Sequence, residues 1–184
     1  MRKLNFFLDI DGTLLPFGKG LPQSAIETIE EASRMGHRFF LSTGRSTAEI
    51  SSYLMEALPL KGGVFSAGCV VVYEGQKIYK KIFPKSEKDE ILRYAEENNL
   101  AIFLQGEDGT YLTPKAGEMF TSFLTKYIGR VIDIPNFRVV DEFPEDLEIY
   151  KLLFISPDGL VPKVRKDFSM ITDTFISDLI LNLI

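Results

Sequence analysis

Cysteine and histidine are almost absent from this sequence, whose 184 residues contain one of each and no tryptophan. A single cysteine excludes an intramolecular disulfide and is typical of proteins from a reducing compartment. Cys69 begins a predicted strand, whereas His37 lies beside a predicted turn. A catalytic Cys–His pair is therefore not favoured, and Cys69 is interpreted as a structural thiol.

The sequence also lacks an excess of basic residues and a long apolar run. Its formal net charge of −5 argues against nucleic acid or an anionic membrane as a partner. Asp9 interrupts the apolar run near the start, which is too short for a signal-peptide core or a membrane span. We therefore expect a cytoplasmic protein. An anionic substrate would have to be bound by local groups, such as a metal ion or backbone N–H groups.

The first part of the chain alternates strand-like runs with helical patterns. Residues 4–10 are almost continuously apolar, as expected for a strand covered on both faces. Further strands are predicted at 38–42 and 62–66, with helices over 24–35 and after a Ser46–Glu49 capping box. This order predicts a parallel, Rossmann-like α/β sheet.

Hairpin signals replace this alternation near residue 69. A hairpin that leads away from the sheet is predicted up to residue 83, and an Asp108-Gly109 turn predicts a second one. We therefore expect a core domain over 1–83 and an α+β domain over 84–184. The other predicted elements of this second domain are helices at 86–98, 115–128 and 158–167 and strands at 137–140, 149–155 and 169–183.

The strongest chemical signal is a pair of carboxylates at the end of the first predicted strand. Asp9 and Asp11 have the same side-chain parity on an extended strand, so both can face one crevice at the sheet edge where α/β proteins bind ligands. A hard cation such as Mg²⁺ would relieve their repulsion and bind phosphate oxygens. Asp9 could then attack phosphorus while Asp11 handles the proton, and Gly12 permits a sharp exit from the strand.

Three other interpretations of this motif compete with a phosphoryl-transfer site. An Asp-Gly pair alone can simply end a strand in a turn. A calcium loop needs glycine at its sixth position and glutamate at its twelfth, but here Gly12 is fourth and Gly20 is twelfth. A receiver domain would carry its acceptor aspartate after the third strand, where the chain has Ser66-Ala67-Gly68.

A second motif, Thr43-Gly44-Arg45, follows the second predicted strand at the same sheet edge. The hydroxyl of Thr43 can donate to a phosphoryl oxygen, and free N–H groups at the start of the next helix would favour an anion. Alone, this tripeptide is equally typical of a turn that enters a helix.

Together, Asp9-Xxx-Asp11-Gly12-Thr13 and Thr43-Gly44-Arg45 make the chain similar to the haloacid dehalogenase superfamily, and most of all to its Cof-type branch. The resemblance extends over the whole chain and implies a Rossmann-like core with a cap domain inserted after the third strand. It implies that Asp9 is the nucleophile, Asp11 the general acid/base and Thr43 a phosphoryl-binding residue. Mg²⁺ would sit on Asp9 and the main-chain carbonyl of Asp11, while Arg45 would support the phosphate or cap closure.

The chain departs from the family's pattern at two places. Ala67-Gly68 stands where the family usually has Asn-Gly, so one side-chain contact to substrate is missing. The family's later lysine and its acidic Gly-Asp motif are also not found, which predicts an incomplete core and an exposed first strand that a homo-oligomer could cover. Lys151, Asp173 and Asp178 have a plausible spacing for substitutes, but they are better interpreted as residues of cap strands.

These observations leave two functional hypotheses. The first is a Mg²⁺-dependent phosphatase that acts on small phosphorylated metabolites, such as sugar phosphates, through an aspartyl-phosphate. The second is a truncated protein of the same family that is catalytically impaired and at most binds phosphate ligands.

Overall fold

A computed structural model of the chain describes residues 2–16, 19–128, 136–155, 163–164 and 166–167. They form two β-sheets, one of five strands and one of four. The strands are β1 (Asn5–Leu8), β2 (Arg38–Ser42), β3 (Leu60–Phe65), β4 (Val70–Tyr73), β5 (Gln76–Lys80), β6 (Ala101–Gln105), β7 (Thr110–Leu112), β8 (Phe137–Val139) and β9 (Lys151–Ile155). The α-helices are α1 (Gln23–Arg34), α2 (Ser52–Ala57), α3 (Lys85–Glu97) and α4 (Pro114–Ile128).

The first sheet has the order β1-β2-β3-β4-β5, and its first three strands are parallel. The predicted α/β fold class is thereby confirmed. The prediction that the hairpin after residue 69 leaves the sheet is wrong, because β4 pairs antiparallel with β3. Ser66, Ala67 and Gly68 all have positive φ, at 51°, 54° and 100°. This tight reversal turns the chain straight back along β3.

The helices of this part pack on one apolar core with the sheet. Ile29 of α1, Leu54 of α2 and Leu41 of β2 are buried members of this core. The capping box at Ser46 is followed by a short 3-10 helix, and α2 begins later than predicted, at Ser52. The helix is interrupted because the two residues between them, Ile50 and Ser51, are extended, with ψ at 125° and 140°.

Strand β1 differs from the prediction that both of its faces are covered. Within the described residues β1 lies at the edge of the sheet, with β2 as its neighbour. Phe7 is 58% exposed although its ring stacks on Phe40, at 5.0 Å between centroids. The edge that is unpaired within the described residues and the exposed ring of Phe7 agree with the predicted exposed first strand.

The second sheet has the order β8-β7-β6-β9. Its β6–β7 hairpin confirms the predicted turn at Asp108-Gly109, where Gly109 has a φ of 156°. Ile91 of α3 and Leu104 of β6 are fully buried in the core beneath this sheet. The chain changes sheets between Lys80 and Ala101, and the domain boundary at about residue 83 stays a prediction.

Several predictions fall outside the residues that the structure describes. These are most of the helix at 158–167, the strands at 169–183, and the acidic residues Asp173 and Asp178. Among the helices that are described, none has the length and apolar character that crossing a bilayer requires.

Candidate functional site

The two predicted motifs meet at one edge of the first sheet. Asp9 directly follows β1 and Thr43 directly follows β2, and these parallel strands are paired in register with Leu8 opposite Leu41. A cavity of about 330 Å³ opens between them. Its lining residues come from the ends of the first three strands: Asp9, Ser42, Thr43, Gly44, Val64, Ala67 and Gly68. The carboxyl edge of the sheet therefore forms a polar crevice, as the sequence predicts.

The loop after Asp9 is a tight turn that holds the nucleophile candidate at the surface. The N–H of Leu14 donates to the carbonyl of Asp9 at 3.2 Å, and the N–H of Leu15 donates to that of Ile10 at 2.8 Å. Gly12 has a φ of 82°, a left-handed conformation that favours glycine. Ile10 points into the core while Asp9 and Asp11 on either side are exposed. Their carboxylates are thus accessible to a ligand.

The side chains of Asp9 and Asp11 have different partners. Asp11 accepts two hydrogen bonds from Arg45, at 2.9 Å from Nε and 2.6 Å from Nη2. Asp9 lines the cavity, where Thr13 Oγ1 lies 3.5 Å from its Oδ2. A bidentate ion pair of this kind orients a carboxylate strongly. Arg45 therefore joins the second motif to the first through Asp11, and Asp9 is the carboxylate that faces the cavity.

The oxygen atoms near Asp9 provide some, but not all, of the ligands that a hard cation requires. The Asp9 carboxylate oxygens and the main-chain carbonyl of Asp11 are the type of ligand that Mg²⁺ prefers, and Mg²⁺ usually keeps several waters beside one or two carboxylates. In the described ranges no backbone N–H is directed at the Asp11 carbonyl, and no three His, Cys, Asp or Glu side chains cluster. The Asp11 side chain is engaged with Arg45, so its assignment as a metal ligand stays a prediction.

Thr43 is buried in the wall of the cavity and is held from several directions. Its Oγ1 accepts the N–H of Arg45 at 3.2 Å, and its N–H donates to the carbonyl of Val64 at 3.0 Å. The N–H of Ala67 donates to the Thr43 carbonyl at 3.3 Å, which ties the loop after β3 to the loop after β2. Because the hydroxyl oxygen is already used as an acceptor, its hydrogen can be donated to a ligand.

The structure differs from the prediction that an α-helix begins directly after the second motif, while the contribution of N–H groups there to anion binding stays a prediction. The residues after Arg45 instead form a three-residue 3-10 helix, Thr47–Glu49. So short a segment has almost no macrodipole, because aligned peptide units must add up to produce one.

Ala67 occupies the position where the resemblance implies an asparagine, and it lines the cavity. Its φ of 54° lies in the left-handed region that asparagine tolerates better than most residues. The backbone of this loop thus has the conformation that suits Asn, whereas the side chain offers no polar atom.

Glu49 supports the site through Arg45, whose Nη1 donates to its main-chain carbonyl at 3.3 Å, whereas the sequence assigned it only to a helix cap. It is 4% exposed, and its Oε2 accepts the N–H of Ser46 at 2.8 Å and Nε2 of Gln105 at 2.7 Å. Its Oε1 accepts the hydroxyl of Thr110. Gln105 and Thr110 belong to the second sheet, so this one carboxylate connects the second motif with that sheet.

Lys151 begins β9, as the prediction of a strand at this position required. Its Nζ donates to the carbonyl of Gly44 at the cavity, a contact across 107 positions that no local pattern signals. Burial lowers the pKa of Lys151, while the charge of the neighbouring Glu49 acts in the opposite direction.

Cys69 is half-buried, outside the residues that line the cavity. Burial raises the pKa of its thiol, against the opposing charges of Lys81 and Lys151. A raised pKa lowers the thiolate fraction, which agrees with the interpretation of Cys69 as a structural thiol.

The sequence and the fold are similar to those of known proteins. Residues 6–178 match the family described as haloacid dehalogenase-like hydrolase. The chain is 33% identical over 157 residues to "Putative phosphatase YkrA" of Bacillus subtilis strain 168, which covers 85% of this chain and 58% of that protein. It is 26% identical over 181 residues to "Putative phosphatase YxeH" of the same organism, with 89% and 64% covered. The chain therefore spans less than two thirds of either relative.

Solved structures show the same fold. A haloacid dehalogenase-like hydrolase from Bacteroides thetaiotaomicron has a TM-score of 0.74 at 20% identity, over 92% of this chain and 64% of that one. A sugar phosphatase of the haloacid dehalogenase subclass IIB has a TM-score of 0.59 at 27% identity, over 75% and 53% of the two chains.

Proposed function

The chain belongs to the haloacid dehalogenase-like hydrolases, and from this membership we propose that it is a Mg²⁺-dependent phosphatase with Asp9 as its nucleophile. The observation that carries the proposal is the shared cavity of Asp9 and Thr43 at the ends of two adjacent parallel strands. This arrangement puts a solvent-accessible carboxylate and a hydroxyl donor at one crevice that has room for a phosphate ester.

In the first half of the reaction, an oxygen of Asp9 attacks phosphorus and the bond between phosphorus and the ester oxygen breaks. Thr43 donates its hydroxyl hydrogen to a phosphoryl oxygen and so holds the group in line with Asp9. Asp11, which must be protonated at this stage and so no longer accepts two hydrogen bonds from Arg45, gives its proton to the departing alcohol. A Mg²⁺ ion held by Asp9 and the Asp11 carbonyl would offset the negative charge shared by the carboxylate and the phosphate.

In the second half, water attacks the phosphorus of the aspartyl-phosphate and releases inorganic phosphate and free Asp9. Asp11 takes the proton of that water, which restores its starting state. Arg45 orients the Asp11 carboxylate for this second transfer through its two hydrogen bonds. The role of Arg45 is thus to position the acid/base rather than to bind the phosphate.

We place the substrate among small phosphorylated metabolites, with sugar phosphates as the first class to examine. The likeness to a sugar phosphatase of subclass IIB supports this choice. The second sheet would act as the cap of the family and determine specificity, and the net charge of −5 favours neither nucleic acid nor an anionic membrane as a partner. A cytoplasmic location and a homo-oligomer that covers β1 remain parts of the same proposal.

The test is phosphate release from an aryl phosphate by the purified chain, with and without Mg²⁺. We expect Mg²⁺-dependent release that is lost in Asp9→Asn and retained in Asp89→Asn, a matched change at an exposed aspartate of α3. Phosphate binding without any release would overturn the proposal in favour of a phosphate-binding protein of this family. Release that persists in Asp9→Asn would exclude Asp9 as the nucleophile.

A further inference from the structure

Lys151 brings a positive charge from the second sheet to the cavity of the first. Its Nζ donates to the carbonyl of Gly44, which lines that cavity. A Cβ atom built on Gly44 would lie 3.4 Å from the same Nζ. The ammonium group therefore packs directly against the backbone of the second motif, beside Thr43.

The charge of Lys151 is less well compensated than those of the other cations around it. Arg45 is neutralised by Asp11, and Lys77 is neutralised by Glu107. In the described part of the chain, no carboxylate lies within salt-bridge distance of the Lys151 ammonium, whose one protein acceptor there is a neutral carbonyl. An ammonium group has three donor hydrogens, so two remain for a ligand.

Glu49, the acidic residue that acts electrostatically on Lys151, is hydrogen-bonded to other donors. Its two oxygens accept from Ser46, Gln105 and Thr110. Glu49 favours the charged form of Lys151 at a distance, although burial acts against it and lowers the pKa of Lys151. Bringing an anion to this position would recover part of the free energy that burial of the ammonium costs.

We propose that Lys151 is a phosphate-binding residue of the site, contributed by β9 of the second sheet, and that its ammonium contacts a phosphate oxygen of the substrate at the Gly44 side of the cavity. The inference rests on the proposed phosphatase function and extends it to the second sheet. It also explains how a chain with net negative charge concentrates an anionic phosphate ester at this edge. The contact is present both in the enzyme–substrate complex and in the transition state, so its loss raises KM more than it lowers kcat.

The test compares Lys151→Met and Lys151→Arg in the presence of Mg²⁺. Titration calorimetry measures the Kd for inorganic phosphate and, separately, for Mg²⁺, while the aryl phosphate assay provides KM and kcat. A hydrogen bond between charged groups is worth about tenfold to hundredfold in affinity. We expect Lys151→Met to weaken phosphate binding and raise KM by that factor, with Mg²⁺ affinity unchanged, and Lys151→Arg to stay within a few fold of wild type.

The matched control is Lys85→Met, which removes an exposed lysine at the start of α3 that pairs with Glu145. It should change neither constant. If Lys151 had a purely structural role, Lys151→Met would weaken phosphate and Mg²⁺ binding together, and that result would overturn the inference. So would a phosphate Kd of Lys151→Met within twofold of wild type while wild type still hydrolyses the ester. Absence of both hydrolysis and phosphate binding in wild type would instead refute the proposed function.

Discussion

Replacing Glu49 by alanine should destabilise the protein far more than an ordinary glutamate substitution. The change leaves three donors without their acceptor: the N–H of Ser46, Nε2 of Gln105 and the hydroxyl of Thr110. All three residues are buried, with exposed fractions of 2% or less, so water has little access to the freed groups. An unsatisfied buried donor costs about 1–3 kcal/mol, so three of them put the expected loss at about 3 kcal/mol or more, which is large for a single substitution.

Glutamine at the same position removes the charge and one acceptor oxygen but keeps the side-chain volume and the other acceptor. Its carbonyl oxygen can accept from Ser46 and Gln105 as Oε2 does in the wild type. Its amide then faces Thr110, whose hydroxyl can rotate to accept instead of donate. We therefore expect Glu49→Gln to cost about 1 kcal/mol, the net worth of one ordinary hydrogen bond.

Urea denaturation followed by circular dichroism measures the free energy of unfolding of both variants. Glu56→Ala, a change at an exposed glutamate of α2, is the matched control and should lie within about 0.5 kcal/mol of wild type. A loss of less than 1 kcal/mol in Glu49→Ala would refute the reasoning. An equal loss in the alanine and glutamine variants would also contradict it, since the two differ in the acceptor that they retain.

Three further predictions follow from the site and its surroundings. Arg45→Lys removes the bidentate geometry at Asp11 and should lower kcat about tenfold or more with a smaller change in KM, measured with an aryl phosphate. Ala67→Asn should leave the melting temperature unchanged or higher, because its φ of 54° suits asparagine, and should lower KM through a new polar contact. A hydrogen bond from Lys77, and to a lesser extent one from Tyr150, keeps the pKa of Glu107 below its ordinary value of 4.5. A carboxyl with a lowered folded-state pKa stabilises the protein above pH 4.5 and loses this contribution as pH falls through the folded value. The free energy of unfolding should therefore decline more steeply below pH 4.5 in wild type than in Glu107→Gln, and parallel declines would contradict this assignment.

The local parts of the fold were predictable because their signals lie close together in the chain. A continuous apolar run predicted β1, and the Asp108-Gly109 pair predicted the hairpin between β6 and β7. Parallel strands require a crossover connection, and the predicted helix between β1 and β2 is such a connection, so their parallel pairing could be predicted. The prediction failed at the loop after β3, where three residues with positive φ reverse the chain.

The part of the candidate site that depends on strand ends was predictable from the sequence. Carboxyl ends of neighbouring parallel strands meet at one edge, so Asp9 and Thr43 could be placed together from their positions alone. Parity along the strand predicted that Asp11 faces the same crevice as Asp9, but β1 ends at Leu8 and Asp11 is not among the residues that line the cavity. The pattern of residues along the strand contained no information on Arg45, whose hydrogen bonds to Asp11 span 34 positions.

By itself, the sequence determined the fold class and the two motifs, because hydrophobic periodicity and turn chemistry act over a few residues. Only the tertiary structure decided how the second sheet meets the site. Glu49 and Gln105 are 56 positions apart, and Lys151 and Gly44 are 107 apart. Contacts of that separation depend on how two sheets pack against each other, and no pattern within either segment encodes the packing.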